Sequence, residues 1–342
     1  MQENETISSS TEEDGWEDFH KRSFVVDCHT DVVLELFGRK DMFGDRKDFR
    51  RLADRGARGH VDIPRLIDGG IDCQVFAIWS DPRRSENPTL RSLELIAQLL
   101  TEFDANRSKI RLVRTFSEIE SAKDEKKIAA LLSLEGGEPL ADRPSLLRVF
   151  YEMGVRSLGL TWSYRNQLAF GNRENPKSGL TESGFEVVKE ANNLGVILDV
   201  SHLNEAGFYD LASASRGPFI ASHSNARSLR EHKRNLDDRQ IRLVADRGGA
   251  IGINFTPSFL SDTQATIETA CKHIIYMTKL VGSEYVGLGS DFDGMEVTPV
   301  GLEDVSKVPE ITRRLLESGL SRKEVENILG LSFMRVFREV LK

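Results

Sequence analysis

The run Ala129-Ala130-Leu131-Leu132-Ser133-Leu134 ends on Glu135-Gly136-Gly137. Six residues without a charge, closed by a carboxylate and two glycines, read as a strand buried on both faces. Outward from it, the same kind of short apolar, β-branched run recurs at Phe24–Cys28, Ile71–Trp79, Val155–Thr161, Gly195–Val200, Pro218–Ser222, Ala250–Phe255 and Tyr285–Gly289. Amphipathic segments lie between them, among them Thr89–Ala105, Pro144–Met153, Gly184–Asn193 and Asp237–Asp246. Gly70, Gly154, Gly195, Gly217 and Gly249 stand just before the next strand, where a helix hands over. Eight strands alternating with helices predict an α/β fold with a parallel sheet, and eight is the number that closes a TIM-type (β/α)8 barrel. A doubly wound open sheet is the competing architecture. It would place a Gly-rich phosphate turn after the first strand, and Asp27-Cys28-His29-Thr30-Asp31 is nothing of the kind.

The chain is 342 residues long, within the range of a single barrel domain. Residues 1–19 are polar and acidic and read as a tail or a short leading helix, with one domain over 20–342. Beyond Leu302, helices are expected at Val308–Glu317 and Ser321–Leu341, the second opened by a Ser321/Glu324 capping box, as an extra C-terminal helical cap. The long connections 28–71 and 163–181 are expected to shape the substrate pocket.

A formal charge of −8 argues against nucleic acid or an anionic membrane surface as the main partner. The start MQENETISSS lacks the apolar run of a secretory signal. Cys28, Cys73 and Cys271 are too few and scattered for a disulfide framework, and Cys28 and Cys73 read as buried thiols. These features together suit a cytoplasmic setting.

Metal-ligand residue types fall at the strand ends. His29 and Asp31 follow the first strand, Glu135 the third, His202 the fifth, His223 the sixth and Asp291 the eighth. In a barrel all these ends open on one face. His29 and Asp31, two apart on extended backbone, point to the same side. A carboxylate ending so apolar a strand as that of Glu135 has to be paired, metal-bound or protonated. Nitrogen and oxygen ligands without thiolate suit zinc first, with manganese or iron open. Five ligands are too many for one catalytic zinc but suit two metals if a carboxylate bridges them. Glu135 is the choice for the bridge, with His29 and Asp31 on one metal and His202 and His223 on the other. Such a pair activates a bridging water for hydrolysis of an amide, ester or phosphoester. Asp291 is assigned as the acid/base, a sixth ligand or helix cap being its other reading; Asp293 reads as a turn residue. Arg234, in His232-Lys233-Arg234-Asn235, is placed to grip a substrate carboxylate, although composition alone reads a solvated basic loop. His60 reads as structural, and His20 and His273 fall outside the pattern.

With these residues in place, the chain resembles the membrane (renal) dipeptidase family of zinc peptidases from about Val25 to Val340. The matching motifs are Asp27-Cys28-His29-Thr30-Asp31, residues 59–66 (Gly-His-Val-Asp-Ile-Pro-Arg-Leu), Leu134-Glu135-Gly136-Gly137, Asp199-Val200-Ser201-His202, Ser222-His223-Ser224, Arg234-Asn235, residues 289–294 (Gly-Ser-Asp-Phe-Asp-Gly) and residues 301–305 (Gly-Leu-Glu-Asp-Val). The resemblance implies two zinc ions, His29, Asp31 and Glu135 on one and Glu135, His202 and His223 on the other. It implies Asp291 as acid/base and Arg234 on the C-terminal carboxylate of a dipeptide, including dipeptides with a C-terminal D-residue. It also implies a homodimer. Trp162 departs from the pattern, standing where animal members carry an oxyanion-stabilising His. That role passes to Trp162, Arg165, Asn166 or the metals, which makes Trp162 and Asn166 candidate substrate contacts. The polar start and scattered cysteines suggest a soluble microbial-type member. An amidohydrolase or lactonase with a non-peptide substrate is the alternative. A non-enzymatic binding protein would have lost ligands, and none of the five is missing.

Overall fold

The computed structural model describes residues 15–36, 40–41, 44–45, 50–174 and 177–342. Eight parallel strands form a closed ring: β1 (Val26–Thr30), β2 (Cys73–Trp79), β3 (Ile128–Glu135), β4 (Val155–Gly159), β5 (Ile197–Asp199), β6 (Ile220–Ala221), β7 (Ala250–Ile253) and β8 (Val286–Leu288). Each pairs with the next, and β8 returns to β1. This is the (β/α)8 barrel, with a strand at each of the eight expected runs. A further strand, Ile110–Leu112, pairs with Ile128–Ala130 on the edge of β3 that β4 takes over from Leu132. Three residues inside a helical connection give no periodicity from which to predict it.

Gly70, Gly154 and Gly195 hold the positive φ of a helix-to-strand turn. Gly217 and Gly249 do not. Before β7 the left-handed residue is Gly248 (φ 70°), whereas Gly249 lies against the Phe219 carbonyl with no room for a side chain.

The Val308–Glu317 helix has the expected bounds, and the Ser321/Glu324 capping box is formed. The helix that follows is interrupted: Arg322–Glu326 and Ser332–Val340 flank a π-turn over Asn327–Leu331, where Gly330 presses on the Phe24 carbonyl. Phe333, Met334, Val336 and Phe337 cluster with Val26, Cys28, Cys73, Val75, Ala129, Leu131, Ile197, Ile220 and Ala250. These strand residues come from the N-terminal halves of the longer strands and the starts of the short ones. The last helix therefore plugs the N-terminal mouth of the barrel, and the opposite mouth stays free for chemistry. All three cysteines are buried and unpaired.

Of the leading segment, residues 1–14 lie outside the described residues. Trp16–Arg22 is a helix that buries Phe19 and His20, and the His20 ring bonds Thr312 Oγ1 and the Gly69 carbonyl. No described helix is long and apolar enough to cross a membrane.

Candidate active site

Strand parity aims the side chains. On β3, Ala129 and Leu131 face the barrel interior, so Ser133 and Glu135 share that face. Glu135 is thus the last residue of its strand and points into the open mouth. On β1, Val26 and Cys28 already face inward, and regular alternation would send His29 outward. The register of β1 on β2 shifts between Asp27 and Thr30, and this bulge turns His29 into the site.

The two Glu135 oxygens face two different clusters. Oε2 lies 3.5 Å from His29 Nε2, which is itself 3.6 Å from Asp31 Oδ2. Oε1 lies 2.9 Å from His202 Nε2 and 3.8 Å from His223 Nε2. Those two imidazole nitrogens are 3.0 Å apart. His29 Nε2 is buried without a hydrogen-bond partner. Three ligand-competent triads overlap here: His29/Asp31/Glu135, Glu135/His202/His223 and His29/His223/Asp291.

The outer ring nitrogens are occupied elsewhere. Asp199 Oδ1 accepts from the Ser201 backbone N–H (3.0 Å) and Oγ (2.8 Å), and from the Ser222 N–H (3.0 Å); Oδ2 accepts from Ser222 Oγ (2.5 Å). With its proton given to Asp199, Ser222 Oγ accepts from His223 Nδ1–H at 2.7 Å. The His223 Nε2 lone pair is left for the site, the tautomer a metal ligand needs. His202 Nδ1 lies 3.4 Å from Ser163 Oγ. On the other side of the ring, Asp27 accepts from the Ser290 N–H (2.8 Å) and Oγ (2.6 Å) and ties β1 to the loop that carries Asp291.

The electrostatics call for a cation. Burial lowers the His29 pKa, but Glu135 and Asp31 outweigh it and raise it well above the usual imidazole range. His202 and His223 are pushed well below that range, first by burial and then by Arg234 and His29. The Asp291 pKa is raised to about 7 by burial and by Asp31. A buried ring nitrogen with no hydrogen-bond partner, two imidazole nitrogens facing each other and a carboxylate between both groups fit metal ions in an N/O site.

Asp291 has a φ of 64°. Its Oδ2 accepts from Asn254 Nδ2 (2.8 Å) and Thr256 Oγ1 (2.9 Å), while Oδ1 lies 4.0 Å from His29 Nε2. Asp293, also left-handed at φ 67°, accepts from the His60 and Val61 backbone N–H groups and donates its own N–H to His60 Nδ1. His60 thus anchors the loop carrying Asp291. His273 likewise serves structure, accepting from the Ala226 N–H and bonding the Leu260 carbonyl.

A cavity of ≈ 530 Å³ opens over this cluster. Asp31, Glu135, His202, Asp291, Arg234 and Trp162 all line it. The Arg234 guanidinium lies 3.2 Å from His202 Nε2 and donates to the Ser201 and His223 carbonyls. Asn166 is placed differently, outside the cavity lining. Its Nδ2 donates to the Leu160 carbonyl, and its Oδ1 accepts from the Leu168 and Ala169 N–H groups, so it braces the 162–174 loop. Trp79, Asp27 and Asp199 did not stand out in the sequence. Trp79 lies in register with Glu135 on the neighbouring strand and lines the cavity with a buried, unpartnered indole N–H. The signal for the two aspartates is an acidic residue two or three positions before a strand-end His.

Known proteins resemble this chain along nearly all of its length. A family profile described as membrane dipeptidase, peptidase family M19, matches residues 14–342. An uncharacterised dipeptidase of Schizosaccharomyces pombe is 34% identical over 334 residues, 92% of this chain and 80% of its own. The dipeptidase tcpJ of Claviceps purpurea is 31% identical over 82% of this chain and 69% of its own. A solved metallopeptidase from Rhodobacter sphaeroides, liganded with a phosphinate mimic of the dipeptide L-Ala-D-Ala, is 27% identical. It superposes with a TM-score of 0.83 over 94% of this chain and 100% of that one.

Proposed function

This chain belongs to the membrane dipeptidase family, peptidase family M19, and from that premise we propose that it hydrolyses dipeptides with two zinc ions that share Glu135. The observation that carries the proposal is the split of the Glu135 carboxylate, Oε2 toward His29 and Oε1 toward His202 and His223. His29, Asp31 and Glu135 would hold one ion, and Glu135, His202 and His223 the other. When bound, the pair supplies Lewis acidity and lowers the pKa of the attacking water.

The chain's own residues do the rest. Asn254 and Thr256 hold Asp291 Oδ2, so Oδ1 is the atom that takes the water's proton and returns it to the leaving nitrogen. Arg234 is fixed by two carbonyls, and while Nη2 also lies against His202 Nε2, Nη1 keeps a second N–H for the substrate's C-terminal carboxylate. Trp79 and Trp162, rings 5.1 Å apart, wall the cavity, and Trp162 is the candidate donor of an indole N–H to the charge that develops on the scissile oxygen. The L-Ala-D-Ala mimic bound by the Rhodobacter sphaeroides relative supports acceptance of a C-terminal D-residue.

The test is metal analysis of the purified protein together with turnover of an L,L and L,D dipeptide panel. About two zinc ions per chain and hydrolysis of dipeptides are expected. A zinc-loaded protein that cleaves esters or lactones but no dipeptide would sink the proposal. Sedimentation would check the homodimer implied by the family resemblance.

A further inference from the structure

Arg234 is one of three cations that line the same cavity. Lys233 precedes it, and Arg173 reaches the rim from the loop after β4. Both are exposed, and among the described residues neither has a carboxylate within ion-pair distance. Arg173 is held in place. Its N–H donates to the Ser163 carbonyl (3.1 Å), the adjacent Asn172 N–H donates to the His202 carbonyl (2.9 Å), and its Nη1 donates to the Tyr164 hydroxyl (3.0 Å). The same hydroxyl also takes Arg83 Nη1 (3.4 Å), and both guanidiniums lie over the Tyr164 ring. Arg173 is therefore fastened beside His202, which the Arg234 guanidinium also touches. Burial, and after it the charges of Arg234, Arg230, Arg173 and Lys233, push the neighbouring His232 down to about 4.

The acids of the cavity lie elsewhere. Asp31, Glu135 and Asp291 stand among the imidazoles, and Glu296 is on the loop after β8. Glu174, Glu205 and Glu231 border an adjoining cavity that also touches Lys233, and none pairs with it. A dipeptide with neutral side chains brings one carboxylate, which Arg234 takes. Arg173 and Lys233, lining the same cavity, are then left without a carboxylate.

We propose that Arg173 and Lys233 form a subsite for a second carboxylate, so that the preferred substrates are dipeptides ending in an aspartyl or glutamyl residue. The proposal rests on the dipeptidase reading above and adds the substrate class to it. An exposed cation–carboxylate contact contributes up to about fivefold, so the two together give at most about 25-fold, and roughly tenfold at about 0.7 kcal/mol each.

The experiment compares zinc-loaded enzyme on Ala-Glu and Ala-Gln, with the C-terminal residue in L and in D form. These two peptides differ in charge and hardly in shape. Wild type is expected to favour Ala-Glu by roughly tenfold in kcat/KM, a ratio that shrinks with added salt. In the Arg173→Gln/Lys233→Gln double variant the ratio falls to about one, and Arg173→Lys alone keeps most of it. A wild-type ratio at or below one, or a ratio the double variant leaves unchanged, overturns the proposal. Failure to cleave either peptide while other dipeptides of the panel are cleaved also overturns it, whereas failure on the whole panel overturns the dipeptidase reading itself.

Discussion

Asp199→Asn exchanges one atom, and the hydrogen bonds around that carboxylate determine the effect on metal binding. Oδ1 accepts three bonds and Oδ2 one, from Ser222 Oγ. The amide oxygen of Asn takes over the three-bond position, which keeps the two backbone N–H groups satisfied and the fold intact. The amide NH₂ then faces Ser222 Oγ, and two donors meet. Ser222 relieves the conflict by turning its proton toward His223 Nδ1, 2.7 Å away. That moves the imidazole proton to Nε2, the atom that has to be free for a metal. Loss of such an outer partner typically costs roughly 10–100-fold in metal affinity, or about 1.4–2.7 kcal/mol. The assay is competition for zinc with a chromophoric chelator, with circular dichroism as the control for folding. Adding Ser222→Ala removes the donor conflict, so the double variant should be less impaired than the sum of the two single variants. An Asp199→Asn protein that is folded and binds both zinc ions within twofold of wild type would refute the tautomer argument.

Two other outcomes are expected from groups on either side of the site. Asp291→Asn should keep its zinc, because the five proposed ligands are untouched, while kcat falls by roughly 10²–10⁴; equal loss of metal and rate would make Asp291 a ligand instead. His273, outside the proposed ligand set, is buried, and burial lowers its pKa below 6.5. Below pH 6.5 the unfolded chain therefore binds the extra proton first. The stability from a neutral His273 is complete above pH 6.5 and is lost as pH falls through the lowered native value, at up to about 1.4 kcal/mol per pH unit. Urea unfolding of metal-free protein should show that slope, and His273→Gln should flatten it; an unchanged slope would count against the neutral assignment.

Most of the barrel was legible in the primary structure. Runs such as 129–134 are local and periodic, and turn glycines such as Gly70 and Gly154 mark where helices end. The ligand types were legible for a related reason. A charged or imidazole side chain at the end of an apolar strand is conspicuous whatever its neighbours are, and barrel geometry brings strand ends together. Lateral relations were another matter. Adjacent parallel strands are joined by long crossovers, so nothing near Ser222 in sequence says that Asp199 lies opposite it, and nothing near Glu135 says that Trp79 does.

By itself, then, the sequence determined the eightfold alternation and the inventory of metal-ligand residue types at its strand ends, because both are written in short-range pattern. Only the tertiary structure decided how those residues are used. It placed the bulge that turns His29 inward, the serine that frees His223 Nε2 and the backbone bonds that commit Asn166 to its own loop. It also gathered Arg173 and Lys233 at the rim beside Arg234. These outcomes depend on contacts between strands and loops distant in the chain, which spacing along a single chain does not encode.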